Sequence, residues 1–397
     1  MEKNKRYENF IVFLAPLINS VGGIAIDLYA PSIPAIGREL AASPSLMQNT
    51  ITITLIFYAV GQLFFGIIAD ARGRRLAIIL GLFIFLAGSI MATLAWSIAT
   101  LLIARALQGF AIGACQVVAR ALLIDNVKGP RFAVAIIYLS LAFGLGPVIA
   151  PYLGGLVEMY LGWRYNFVIY AVYGLIVLIF VIAGLKESLP PERRRRAIET
   201  ISGYKAILAD KRFCASVTII GASFSTFLLW NVIGPYIVQE RLGQSAQYFG
   251  TTALGVGLCY LSGTLLNRFL VRQVSSSMLM LIGFLLFALG TAAIAAHPHE
   301  ITLPNVLAGI MLVAFGQGFI FSNAMAHSMS LFPDRAGVAA SLQGCLMLAF
   351  GSIVSALASV LPLNTNLAIS ALFFTLFIVS LAGMWLLHPA IDHAAMD

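Results

Sequence analysis

Residues 51–94 read ITITLIFYAVGQLFFGIIADARGRRLAIILGLFIFLAGSIMATL. Two apolar runs of span length flank a hairpin that holds every charge in the stretch: Asp70, Arg72, Arg74 and Arg75. A helix needs about 20 apolar residues to cross a bilayer. Charge is costly in lipid, so it collects where the chain leaves it. The stretch is therefore a pair of membrane helices joined by a short basic loop.

The same reading extends over the chain. Of 397 residues, 60% are hydrophobic and only 10% charged, and the mean hydropathy is +0.95. Soluble domains carry about a quarter charged residues. A globular soluble enzyme is excluded, and so is a disordered or nucleic-acid-binding chain, despite a net charge of +8. Apolar windows predict spans at 10–30, 46–69, 76–95, 98–124, 131–159, 164–184, 213–238, 247–270, 278–297, 302–327, 337–361 and 366–388. The expected fold is an all-α membrane protein of twelve transmembrane helices in two pseudo-symmetric six-helix bundles. The bundles are 1–184 and 213–397, with a charged connector, 185–212, between them. Gly66-Ile-Ile-Ala-Asp70 in the first half is echoed by Gly263-Thr-Leu-Leu-Asn267 in the second, as in repeat-built transporters.

Basic residues fall almost wholly on one side of these spans, including the run Arg193 to Arg196. The positive-inside rule then expects cytoplasmic N- and C-termini in a multi-pass protein. The start of the chain is read as a retained first helix, not a signal peptide. Cys115, Cys214, Cys259 and Cys345 lie apart in apolar stretches, which argues against a disulfide framework or a thiolate metal site. No zinc spacing, phosphate loop or cofactor motif stands out. No cofactor and no metal are expected.

A charge inside a span is a functional candidate by default. Asp27 lies near the outer end of the first span and Arg105 about two turns into the fourth. At 1.5 Å per residue their depths agree within about 6 Å. They can pair directly or across a small aqueous cavity. The plainer readings are that Asp27 snorkels to the headgroups and that Arg105 only packs helices. Pro31 and Pro34 should end the helix after Asp27, leaving the acid beside irregular, wetter backbone. Asn19 shares its helical face. Gln116 follows Arg105 at helical spacing and is a candidate hydrogen-bonder, as are Tyr29, Tyr58, Trp230 and Asn231; for the aromatics, packing is the plainer reading. Gly146, Pro147 and Pro151 predict a bent fifth span at the seam between the halves. In the basic loop Gly73 permits a tight turn, Asp70 can face a helix N-terminus, and Arg74 can reach an acid, best Asp125.

These residues resemble a known family. Gly66-x-x-x-Asp70-x-x-Gly73-Arg74-Arg75, Arg105-Ala-Leu-Gln108-Gly109 and Gly146-Pro147 to Gly155 resemble the signatures of major facilitator superfamily transporters. Asp27-Leu-Tyr-Ala-Pro31-Ser-Ile-Pro34, Ala119-Arg120-Ala-Leu-Leu-Ile-Asp125, Phe321-Ser-Asn323-Ala and Pro333-Asp-Arg-Ala-Gly337 are most similar to the Bcr/CflA group of drug/proton antiporters. The resemblance implies that Asp27 couples protons with Arg105 as its partner. It implies that Asp70 and Arg74 gate the inner side and that the span-five glycines and prolines limit leak. Where some relatives carry a second acid, this chain has Asn19.

The expected function is proton-coupled export of a small drug-like or other amphiphilic molecule across a bacterial inner membrane by alternating access. The partners are a small-molecule substrate, protons and the lipid bilayer, with no nucleic acid, and the protein is expected to work as a monomer. An exporter of an endogenous metabolite such as a siderophore, amino acid or sugar is the alternative. A polytopic membrane enzyme is the remote one, and no catalytic cluster supports it.

Overall fold

The structure is a computed structural model and describes residues 2–194, 197–332 and 336–394. Arg195 and Arg196 of the basic run, and Pro333 to Arg335 of the sequence motif, lie outside the described residues. Among those described, the chain is helical throughout, with no strand. The helices are α1 (Glu2–Asp27), α2 (Ile33–Glu39), α3 (Pro44–Arg72), α4 (Arg74–Thr93), α5 (Ile98–Asn126), α6 (Pro130–Tyr160) and α7 (Arg164–Gly184). Then come α8 (Ala197–Leu208), α9 (Lys211–Pro235), α10 (Ala246–Leu270), α11 (Ser276–Ala295), α12 (Leu303–Ser330), α13 (Ala336–Val360) and α14 (Asn366–Ala394). Twelve helical segments are long and apolar enough to cross a membrane. Their bounds match the sequence expectation within a few residues everywhere but the first.

The first segment runs from Lys5 to Glu39, not to residue 30. Pro31 and Pro34 do end α1, at Asp27. Each also opens a new helical turn: Pro31 in a 3-10 turn, Ala30–Ser32, and Pro34 in α2. The fixed φ of proline suits a first turn, where its missing N–H leaves nothing unpaired. The backbone after the acid is not wetter either. Residues 25–34 are all buried, because the 3-10 turn packs against α6 and the Tyr29 N–H donates to the Tyr170 hydroxyl of α7 at 3.2 Å.

The chain divides into two compact units, Met1–Gly203 and Tyr204–Asp397. In the first, α5 is the central helix and packs on α3, α4 and α1. Glycines set the spacing. A Cβ on Gly61 would run into the Phe110 carbonyl, and one on Gly113 into the peptide joining Gly61 to Gln62. In the second unit, Gly263 meets the Phe315 carbonyl and Gly318 meets the peptide joining Gly263 to Thr264, which seats α12 on α10. The two units thus repeat one contact. Its register matches Gly263 with Gly61, not with the Gly66 of the sequence echo, because the glycine is needed where backbones cross rather than at a fixed distance from the loop.

Two glycines of α6 lie in a helix contact within the first unit. Gly146 abuts the backbone of Gly23, and Gly154 the Leu28 carbonyl, so both serve the α1–α6 contact inside the first unit. The helix runs unbroken through Pro147 and Pro151. Large apolar side chains, among them Phe13, Val60, Phe83, Leu285 and Trp385, point outward, as a lipid-facing surface requires.

Helices in lipid gain little from the hydrophobic effect and rely on such close packing. Gly113→Val is therefore expected to cost at least the ~1–3 kcal/mol of an overpacked core. Gly144→Ala, where nothing stands within 4 Å of a new Cβ, should cost nothing. Thermal unfolding of the two variants in detergent, followed by size-exclusion chromatography, checks the contrast.

Candidate functional site

The first unit carries three buried polar layers, all hung on α5. The layer nearest the Asp27 end is built around Arg105, whose side chain is fully buried. Its Nη1 donates to the Ala25 carbonyl of α1 at 3.0 Å and to Gln108 Oε1 at 2.7 Å. Gln108 Nε2 donates in turn to Ser89 Oγ of α4 at 3.0 Å. The guanidinium lies over the Tyr29 ring, 4.1 Å from its centroid. A desolvated cation–π contact of this kind is worth about 2 kcal/mol. Tyr29 is itself pinned by a 2.8 Å bond between its hydroxyl and Thr50 Oγ1 of α3. No protein atom accepts from Arg105 Nε or Nη2. Asp27, the only acid among the buried described residues, lies within electrostatic reach of the same two phenols, Tyr29 and Tyr170, as Arg105.

The second layer lies about three turns further along α5. Gln116 Oε1 accepts from the Tyr58 hydroxyl and from Gln62 Nε2, both on α3. Tyr58 is fully buried and Gln116 half-buried. Asn19 belongs to neither layer. Its Nδ2 donates to the Leu139 carbonyl of α6 at 3.0 Å, so half of its amide is spent on helix packing.

The third layer closes the basic end. Arg74 Nη1 meets Asp70 Oδ1 at 2.5 Å and its Nε meets Asp125 Oδ2 at 3.3 Å. Gly73 makes the turn at φ 115°, where an L side chain is strained. The acid at the N-terminus of α4 is not Asp70, which turns to Arg74, but Glu187. Its carboxylate accepts from the Arg74 N–H at 2.9 Å, the Arg75 N–H at 3.1 Å and the Leu189 N–H at 3.0 Å. Next to it, Ser188 Oγ donates to Asp125 Oδ2 at 2.9 Å. The start of the connector is thereby strapped over the ion-pair cluster. A Cβ on Gly73 would also strike the Glu187 carboxylate and push it off the α4 N-terminus. Gly66 is buried within α3 just before this cluster.

The second unit has its own polar and aromatic groups. Trp230 is buried against Phe249, 5.8 Å between rings, and its Nε1 has no hydrogen-bond partner. Asn231 is buried beside it. Phe227, Tyr260 and Phe321 form a chain of rings across α9, α10 and α12 at 5.9 and 6.4 Å. Asn323 Nδ2 donates to Asn267 Oδ1 at 2.7 Å, a neutral pair at the position of the sequence echo.

The structure thus brings together Asp27, Tyr29 and Arg105; Tyr58 and Gln116; and Asp70, Gly73, Arg74 and Asp125. It sets Asn19, Gly146, Pro147 and Pro151 into the α1–α6 contact or its helix, and Trp230 and Asn231 into the other unit. Sequence reasoning passed over Gln62, Ser89, Tyr170, Glu187 and Ser188. Gln62 follows Tyr58 at i+4, a detectable signal. Glu187 and Ser188 sit in a polar connector, where nothing local reveals that they fold back.

Comparison with known proteins supplies the remaining findings. Residues 16–356 match the model of the Major Facilitator Superfamily. The chain is 29% identical over 381 residues to the uncharacterized MFS-type transporter YdgK of Bacillus subtilis, covering 94% of each. It is 30% identical over 325 residues to the multidrug resistance protein MdtL of Vibrio parahaemolyticus, covering 81% of each. Among solved structures it is similar in fold to a D-xylose–proton symporter, with a TM-score of 0.75 and 18% identity over 96% of this chain and 97% of the other.

Glu187→Ala is expected to release the first turn of α4. An exposed charged cap is worth about 0.5–1 kcal/mol. Hydrogen exchange at the Arg74 and Arg75 amides should rise by about two- to fivefold, with Glu187→Gln between the two, while the amides of α11 stay unchanged.

Proposed function

Because the chain belongs to the Major Facilitator Superfamily, and so is a membrane transporter of small molecules, we propose that it exports amphiphilic, drug-like compounds in exchange for protons. The setting we propose is a bacterial inner membrane, with both termini cytoplasmic and one chain as the working unit. Relatives named as multidrug resistance proteins support the cargo class. The observation that carries the coupling is the layer around Arg105: one buried acid, one fully buried guanidinium, and two guanidinium nitrogens with no protein acceptor.

In this reading Asp27 takes and releases the transported proton. Its ionised form offsets the charge of Arg105 across a short low-dielectric distance. Its protonated form removes that attraction. Arg105 cannot follow by losing its own proton, since guanidinium stays charged, so the pair has two distinct electrostatic states. Alternating access needs an element that holds in one conformation and opens in the other. The Asp70–Arg74–Asp125 cluster fits that part, with Glu187 and Ser188 as its outer fastening. Tyr58 and Gln116 in the first unit, and Trp230 and Asn231 in the second, are the proposed substrate contacts. The paired glycines and prolines of α6 keep it tight against α1 and limit leak.

A second reading, export of a polar endogenous metabolite such as a siderophore, amino acid or sugar, has its own support. Gln317 is buried in α12 with neither amide atom bonded, a feature that suits a hydroxyl- or amide-bearing cargo. Metabolite profiling of a deletion strain separates the two.

The coupling is tested in vesicles. Wild-type protein should move protons when substrate is added, and Asp27→Asn should abolish that movement and flatten the pH dependence of transport. Proton-driven efflux at the wild-type rate in Asp27→Asn would overturn the role of Asp27.

A further inference from the structure

Arg120 lies on α5 one turn beyond Gln116, six residues before the helix ends. Its sequence position suggests only a topology-setting charge at the membrane edge. The structure gives it a different setting. Helical side chains lean toward the N-terminus of their helix, which for α5 is the Asp27 end. On that geometry the guanidinium leans back toward the Gln116 turn, whose amide is bonded to Tyr58 and Gln62, and Tyr58, in the middle of α3, lies within its electrostatic reach. Among the described residues, no carboxylate acts on it at that reach. The acids of the adjoining ion-pair cluster are already engaged: Asp125 with Arg74 and Ser188, Asp70 with Arg74, and Glu187 with the α4 N-terminus.

The neighbouring amide points the same way. Gln116 Oε1 is held by two donors, Tyr58 and Gln62, so its acceptor end is occupied and its NH2 end is presented. Gln116 and Arg120 are four residues apart and share one helical face. Both are half-buried, so both are partly reachable. The local set therefore presents two donors, a guanidinium and an amide NH2, beside a single unpaired acceptor, Gln62 Oε1. A guanidinium fork matches a carboxylate or another oxyanion in two parallel hydrogen bonds, and partial desolvation strengthens the attraction.

We infer that Arg120 and the Gln116 amide form a recognition site for the anionic group of an acid-bearing amphiphile, so that organic anions are a substrate class of this transporter. The inference rests on the export reading for its transport consequence, but the site can be tested by binding alone. Within that reading, the anion docks between the Tyr58 layer and the Arg74 cluster, in the half of the unit opposite Asp27. Proton and anionic cargo then occupy different layers and need not compete for one residue.

The test uses the full chain in detergent and in lipid vesicles, with 5-carboxyfluorescein as the anionic probe and ethidium as the cationic one. Wild type should bind the anion, Arg120→Gln should weaken that binding at least tenfold, and Arg120→Lys should restore part of it. Gln116→Glu keeps the shape but sets an acid four residues before Arg120. It should pair with Arg120 internally and lose anion binding while remaining monodisperse. Ethidium binding should be unchanged or stronger in Arg120→Gln. Equal binding of carboxyfluorescein by wild type, Arg120→Gln and Gln116→Glu overturns the site, as does parallel loss of both probes in well-folded protein. If wild type binds the anion through Arg120 yet moves neither probe under a proton gradient, the export reading fails and the site stands. If it exports ethidium but neither binds nor moves the anion, the site fails and the export reading stands.

Discussion

The contact of two backbones, at Gly61 and Gly113, underlies the first unit. Within lipid, apolar side chains gain little by leaving one apolar environment for another. Association is left to dispersion, and dispersion falls off steeply with any gap. Glycine at the crossing lets α5 reach α3 at the distance of a peptide group. The same crossing fixes the rotation of α5. It is that rotation which turns Arg105 toward the Ala25 carbonyl, Gln116 toward Tyr58, and Asp125 toward Arg74. One packing contact thus positions three polar layers.

Those layers are expensive in different ways. At the basic end the acids are partly exposed, and ions pair with ordinary geometry. The Arg105 layer has no such help. Its charge is distributed over a backbone carbonyl, an amide, a tyrosine face and an acid within the same field. Replacing the whole set by apolar groups would usually stabilise a protein. A set retained at that cost is a reasonable place to look for function, and it is where a proton can alter the electrostatics most.

The fold was legible in the sequence because lipid imposes a length and a polarity on each span, and the two register as long apolar runs. Eleven of the twelve spans need no more than that. The first ran past its expected end because proline stops one helix and starts another with equal ease. Among the site residues, charges in apolar runs were easy to see, and Asp27 and Arg105 came from that rule, while Asp70, Arg74 and Asp125 came from the basic loop and the acid its arginine could reach. What stayed hidden was direction. Nothing in the string tells that Arg120 leans inward rather than to the membrane edge, that the Tyr29 ring lies beneath Arg105, or that Glu187 returns to α4 from a connector more than a hundred residues later. These depend on helix rotation and on chain reversal, which leave no local mark.

The strap at Glu187 also divides the connector into two territories. From Leu185 to Leu189 the chain is fastened, with both leucines buried and Lys186, Glu187 and Ser188 each hydrogen-bonded. Beyond it, Pro190, Pro191, Glu192 and Arg194 are exposed. A loop this uneven does not behave as one flexible string. An inserted peptide, a protease or a fluorescent tag entering directly after Pro190 meets exposed chain, whereas one entering two or three residues earlier pulls directly on the turn at Gly73. For anyone attaching a reporter to this protein, a shift of a few positions separates a silent label from a handle on the ion-pair cluster.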